Sequence, residues 1–334
     1  MRLGDEHCSV QDFDWPLHDD VGTVSQTALE QQLEFVRAEA PSAIAGVFGP
    51  TSMTWQMDRE SILFLAAGRA LLLQLAHPWI AAAIAEHSTA LTNPAVRFRR
   101  TFRVILTMIF GTVDQAFGAA KSLHERHSRI KGVLPETAGP FKAGSHYYAN
   151  NLSALRWVHA TLADSALQAH DLTLGTFSEQ ERVRLYSERR RFAAMFGIPD
   201  NLLPTDYAGL RAYMEAMCAS EILTVSTAAR RISAEIFGSR RRLLRIPIWY
   251  LLVTAGMLPE RLRVDFGFHY GDAERRRGKR ALGLIGRCYP FLPTTLRYVG
   301  PYQEAQQRIK GRPNPDIATR FANRLWIGQS SVGL

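Results

Sequence analysis

Five histidines stand in apolar or helix-forming surroundings: His77, His87, His124, His127 and His159. Imidazole is the commonest axial ligand of haem iron, and a haem pocket is otherwise apolar helix surface with cations for the propionates. Two segments complement each other in that sense. The run Arg97-Phe-Arg-Arg100-Thr101 offers cations and a hydroxyl, and His127 offers a ligand nitrogen. By spacing alone, the plainer reading is a basic first turn on a solvated surface and histidines satisfied in the core or at the surface.

The elements that position these residues are helices. Asn93-Pro94 predicts a helix start, because Asn caps and Pro fits the first helical position. Val96, Phe98, Phe102, Ile105, Met108 and Ile109 then form nearly one apolar stripe, which Gly111 ends. A second helix is expected from about Asp114 to Lys131, stopping at Gly132. An antiparallel pair joined by so short a turn brings Arg97, Arg100 and Thr101 to the end that carries His127. Elsewhere, Asp58 precedes a long apolar segment that Pro78 should kink or end. Further helices are expected over 151–170, from the Ser178–Glu181 capping box to about Gly197, and as a pair from Thr205-Asp206 to Gly238. The last hundred residues predict a short apolar helix, a basic helix around 275–287 and a Pro/Gly-broken tail. No strand alternation, internal repeat or low-complexity linker is visible. The fold class expected is all-α, with an N-terminal extension over 1–45, a core over 46–240 and a C-terminal helical extension over 241–334 packed on it.

Composition narrows the chemistry. Of 334 residues, 46% are hydrophobic and 21% charged, so the chain can bury a sizeable core and is not disordered as a whole. The net charge of +9 suits nucleic acid, an anionic membrane or an acidic cofactor without choosing among them. Basic runs without a reading motif or interleaved aromatics predict no nucleic-acid partner. Cys8, Cys218 and Cys288 form no CxxC, so neither a disulfide framework nor a thiolate zinc site is expected. The N-terminus lacks the apolar stretch of a signal peptide, which predicts a cytoplasmic protein. The apolar stretch over 62–85 contains Arg69, Gln74, His77 and Pro78 and is expected to be a buried helix rather than a membrane span. Residues 246–258, next to the basic run over 240–245, allow peripheral membrane contact. There is no GxGxxG, GxxxxGK[ST], GxSxG, HExxH or Glu-x-x-His, and His124-Glu-Arg-His127 has its histidines three apart. Haem, lipid binding and pure interaction remain.

Five segments in order raise the first of these. Gly68-Arg-Ala-Leu-Leu-Leu-Gln-Leu-Ala-His77-Pro78, Glu86-His87-Ser88, Arg97 to Thr101, His127-Ser-Arg-Ile-Lys-Gly132 and Trp157-Val-His159-Ala-Thr-Leu together resemble the MpaB/latex-clearing oxygenase family. The resemblance covers roughly 48–204. It implies an all-α, partly globin-like core that holds haem b and an enzyme that cleaves isoprenoid double bonds with dioxygen. His127, followed by Ser-Arg-Ile-Lys, falls on the family's proximal iron ligand. Arg97, Arg100 and Thr101 fall on its Arg-x-x-Lys-Thr motif. Arg100 departs from that motif, because a guanidinium stays protonated and cannot ligate iron as a neutral nitrogen. Glu86 matches the family's pocket carboxylate, a candidate base for an allylic proton, with Arg97 and Thr101 orienting oxygen or a propionate. His77 and His159 lie in family-like segments and are expected at the cofactor. The implied partners are dioxygen and a small lipophilic or prenylated molecule; the alternative is a helical protein that binds haem or a lipid surface without turnover.

Overall fold

The computed structural model describes residues 22–88, 93–238 and 246–333. Cys8, the basic run over 240–245 and the first part of the N-terminal extension lie outside them. Sixteen α-helices and one two-stranded hairpin are present among the described residues, so the fold is all-α as the sequence predicts.

Most helices begin where a capping side chain starts them. Ser25 and Ser52 accept from first-turn N–H groups of α1 (Gln26–Glu39) and α2 (Met53–Asp58). A 3-10 turn over Ser61–Phe64 leads into α3 (Leu65–Leu75), and the apolar run breaks where the proline requires it. Pro78 occupies the first turn of α4 (Pro78–His87), which is bent by 104° from the segment before it. No single helix among the described residues is long and apolar enough to cross a membrane; this bent pair passes by length and composition only. Asn93 accepts from the Val96 N–H at 3.2 Å to open α5 (Pro94–Phe110). Thr112 and Gln115 form a capping box at α6 (Val113–Ser128).

Here the structure departs from the sequence reading. α6 stops at Ser128 rather than near Lys131, because β1 (Lys131–Val133) pairs antiparallel with β2 (His146–Tyr148). A three-residue strand is too short to show the two-residue alternation that marks strands. α7 (Leu152–Thr173) and α8 (Glu179–Ala194) then start at Asn151 and at the Ser178 capping box. The chain continues through α9 (Tyr207–Ala219), α10 (Thr227–Phe237), α11 (Ile248–Met257), α12 (Glu260–Asp265) and α13 (Asp272–Cys288). The tail is also helical, as α14 (Thr294–Arg297), α15 (Gly300–Ile309) and α16 (Ile317–Ile327). Its Pro301 sits in the first turn of α15 and its Gly328, at φ 74°, closes α16, so these residues punctuate helices rather than prevent them.

α3 lies along α7 and α5 along α6; α11 packs on α3, α13 on α7, and α15 and α16 on α5. Two adjacent residues fix α3. Gly68 allows close approach of α11: a Cβ there would stand 2.5 Å from Thr254 Oγ1, and its N–H donates to the Tyr250 hydroxyl at 3.0 Å. Arg69, the cation within the apolar run, is buried and donates to Asp164 at 2.7 Å, Ser165 Oγ at 2.7 Å and the Met257 carbonyl at 2.8 Å. Removing one partner of a buried pair leaves an uncompensated charge. Asp164→Asn should therefore cost about 3 kcal/mol of stability in urea unfolding; a loss within 0.5 kcal/mol, the usual size of surface effects, would show the pair to be incidental.

Candidate active site

Small residues open the space that becomes the site. Ala66, Ala67, Gly68 and Ala70 of α3 face Ala163 and Ala166 of α7 across a cavity of about 890 Å³, completed by α5, α11 and α16. That volume is near the top of the roughly 300–1,000 Å³ range of small-molecule sites. Leu71, Phe98, Phe102, Ile105, Leu162 and Trp326 make most of the wall apolar. The polar groups are fewer, among them Gln74, Arg97, Arg99, Thr101, His159, Glu60 and the Asp58–Arg189 ion pair, joined at 2.8 Å.

Arg97 is the least ordinary of these. Its Nε donates to Ser88 Oγ at 2.9 Å, and among the described residues no carboxylate pairs with it. Burial holds its pKa below the usual arginine value. A partly desolvated cation without a counter-charge is costly, so its place on a cavity wall favours an anionic occupant. Thr101, one turn on, donates to the Arg97 carbonyl at 3.2 Å and also lines the cavity. His159 is buried with neither ring nitrogen hydrogen-bonded. Burial, reinforced by Arg189, pushes its pKa down to about 3, so at neutral pH it is an uncharged imidazole on the wall.

A second group stands beside this wall, one hydrogen bond away through Ser88. The Tyr147 hydroxyl donates to Glu86 Oε2 at 2.5 Å and lies 3.2 Å from His87 Nε2. Burial and the Glu86 bond raise the Tyr147 pKa, so the phenol keeps its proton. Gly132 lies against both: a Cβ there would meet the Tyr147 hydroxyl at 2.5 Å and Glu86 Oε2 at 3.0 Å. His127 stands at the end of α6, just before the strand that carries Gly132. Its ring has no hydrogen-bond partner among the described residues, and burial, Arg126 and His124 push its pKa down to about 4. His124 itself is tied to Asn150 at 3.2 Å.

The structure thus brings Arg97, Thr101 and His159 onto one cavity and places Glu86 and His87 in the group joined to it through Ser88. His127, Arg100 and His77 do not line the cavity. Arg100 is exposed, and His77 is buried between Trp79 and Phe141, at ring distances of 5.9 and 5.2 Å. Sequence reading missed Gln74, Tyr147 and the Asp58–Arg189 pair as site groups. Tyr147 lies on a three-residue strand and Arg189 in an arginine-rich helix, and neither carried a signal. Among the described residues no group of three or more His, Cys, Asp or Glu converges as a metal site.

Residues 54–287 match the sequence profile of the ER-bound oxygenase mpaB/B′ and rubber oxygenase catalytic domain. The chain belongs to this family. The match runs from α2 into α13, so it covers most of the cavity wall but not α16, and it extends beyond the segments that carry the resemblance in the sequence. It makes the domain an oxygenase domain, with dioxygen and an oxidisable substrate as its partners. No curated protein and no solved structure matches the chain.

The titration of His159 has a consequence for stability. Its folded pKa of about 3 lies below the model-peptide value of about 6.5, so between these pH values the unfolded chain binds a proton that the folded chain does not. Stability should therefore fall as pH drops below 6.5, by up to about 1.4 kcal/mol per pH unit for this one group. Urea unfolding of cofactor-free protein at pH 7 and pH 5 measures it, and His159→Leu should flatten the difference.

Proposed function

We propose that this family member is a b-type haem-dependent oxygenase that oxidises or cleaves a small lipophilic, isoprenoid-like substrate with dioxygen. The observation that carries the reading is Arg97, a partly buried cation with no carboxylate partner among the described residues, on the wall of a large apolar cavity. Neutral, unpartnered imidazoles complete the donor set, at His159 on the wall and at His127 beyond it. Haem b is a flat apolar ring with an anionic edge and an iron that takes an axial ligand, and these residues fit those three demands. When bound, it supplies the dioxygen chemistry that protein side chains lack.

His127 is the proposed iron ligand, since it falls on the family's pattern and its low pKa keeps the lone pair free. Arg97 would hold a propionate, and Thr101 and His159 would orient what enters the cavity. Arg100, exposed and permanently charged, would supply no neutral nitrogen ligand to the iron. His77, enclosed by aromatic rings, takes no part. Glu86 is the proposed proton acceptor: Tyr147 holds its Oε2, while Oε1 lies 3.8 Å from His87 Nε2. A carboxylate anchored by one oxygen presents the other in a fixed direction, which is what a general base requires.

The purified protein, reconstituted if necessary, should show a Soret band, and absence of the band would overturn the reading. His127→Ala should lose the band and recover it with free imidazole; an intact band in that variant, with loss in His159→Ala, would move the ligand to α7. Glu86→Gln should keep the band while lowering oxygen uptake with prenyl substrates by roughly 100-fold, the low end of general-base effects.

A further inference from the structure

The mouth of the cavity is apolar on its outer side as well as within. Phe64, Trp249 and Leu325 line the cavity and are also exposed to solvent, so they form its lip. Phe64 packs edge-to-face on Phe98 and Trp326, at 5.4 and 6.4 Å, which fixes the lip from inside. From Leu325 the apolar surface continues along α16. Ile317, Phe321 and Leu325 repeat at four-residue spacing on one helix face and are 84%, 71% and 58% exposed. Ile248, 72% exposed, extends the surface beside Trp249. α16 already packs inward through Thr319, Asn323 and Ile327, so the exposed stripe is a second face left without a partner among the described residues.

The charge around this surface is mainly positive, with Asp316, the exposed N-cap of α16 beside Ile317, as the acid at its edge. α5 carries four arginines, α16 carries two, and neither these helices nor α11 contains an Asp or Glu. Arg320 and Arg324 are exposed and each immediately precedes a stripe residue, so they border the stripe along its length. Arg99 lines the cavity and reaches the end of α16, where its Cδ is 3.4 Å from the Cβ position of Gly328. An apolar helix face bordered by arginines, with cations outnumbering the one acid at its start, suits the headgroup region of an anionic bilayer.

The geometry points to this lip as a membrane-docking surface that seats the mouth of the cavity against an anionic lipid bilayer. Ile248, Ile317, Phe321 and Leu325 enter the acyl boundary, and Arg320 and Arg324 contact lipid phosphates. A lipophilic substrate then passes from the bilayer into the cavity without crossing water. The docking goes beyond the oxygenase reading and does not depend on it, because it needs neither cofactor nor turnover.

Flotation of the full-length protein with phosphatidylcholine vesicles, with and without phosphatidylglycerol, tests the surface. Binding should require phosphatidylglycerol, weaken with added salt and shift tryptophan emission to the blue as Trp249 leaves water. Arg320→Ala/Arg324→Ala should weaken binding by on the order of tenfold, as expected for two surface cations near lipid. Phe321→Ser/Ile248→Ser should weaken it comparably while leaving circular dichroism unchanged. Three results would overturn the inference: no binding to anionic vesicles at low salt, binding unaltered in both variants, or a dimer that Phe321→Ser dissociates, which would assign the lip to a second copy of the chain.

Discussion

A cation in the middle of an apolar helix has to be neutralised inside the fold, and Arg69 finds its partners on other elements. Asp164 and Ser165 belong to α7, and the Met257 carbonyl ends α11. The guanidinium can be buried only if these three helices meet at one point, so its burial sets their relative position. Gly68, the residue before it, removes the side chain that would hold α11 away. The cavity inherits its walls from this arrangement, because the faces of α3 and α7 beyond the clamp are lined with alanine and leave space instead of filling it.

The electrostatics of that space follow from how few polar groups reach it. A low-dielectric wall penalises charge, and the imidazole of His159 answers by staying neutral. Arg97 cannot do so within any ordinary pH range, and its hydrogen bond to Ser88 offsets only part of the desolvation cost. The cavity is therefore apolar throughout most of its surface and cationic at one edge. A flat, greasy group with an anionic rim complements it better than a polar metabolite or a nucleic acid.

A second group of polar side chains stands beside this space. Glu86, Tyr147 and His87 form their own hydrogen-bonded group under the hairpin, joined to the wall through the Ser88–Arg97 contact. The two places differ in environment: the cavity wall is mostly apolar, while the Glu86 carboxylate is more than half exposed. The same division continues outward, where the mouth turns from apolar lining to an apolar lip edged with arginine.

Much of this was legible in the sequence because it is local. Asn93, Asn151, Ser178 and Asp206 start helices through hydrogen bonds that reach only three residues along the chain, and Pro78 breaks one through its own ring. Arg97 and Thr101 share a face because a helix repeats in four residues, and five ordered segments carried the family resemblance. What tertiary structure decided is non-local. The hairpin of β1 and β2 exists only as a pair, so it left no period in either strand, and with it came Tyr147 beside Glu86. Likewise, no spacing rule could show that His159 faces a cavity while His77 lies among aromatic rings, or that Arg69 meets Asp164 across ninety-odd residues of chain. Burial, and with it the uncharged state of His159, is fixed by what packs from other helices.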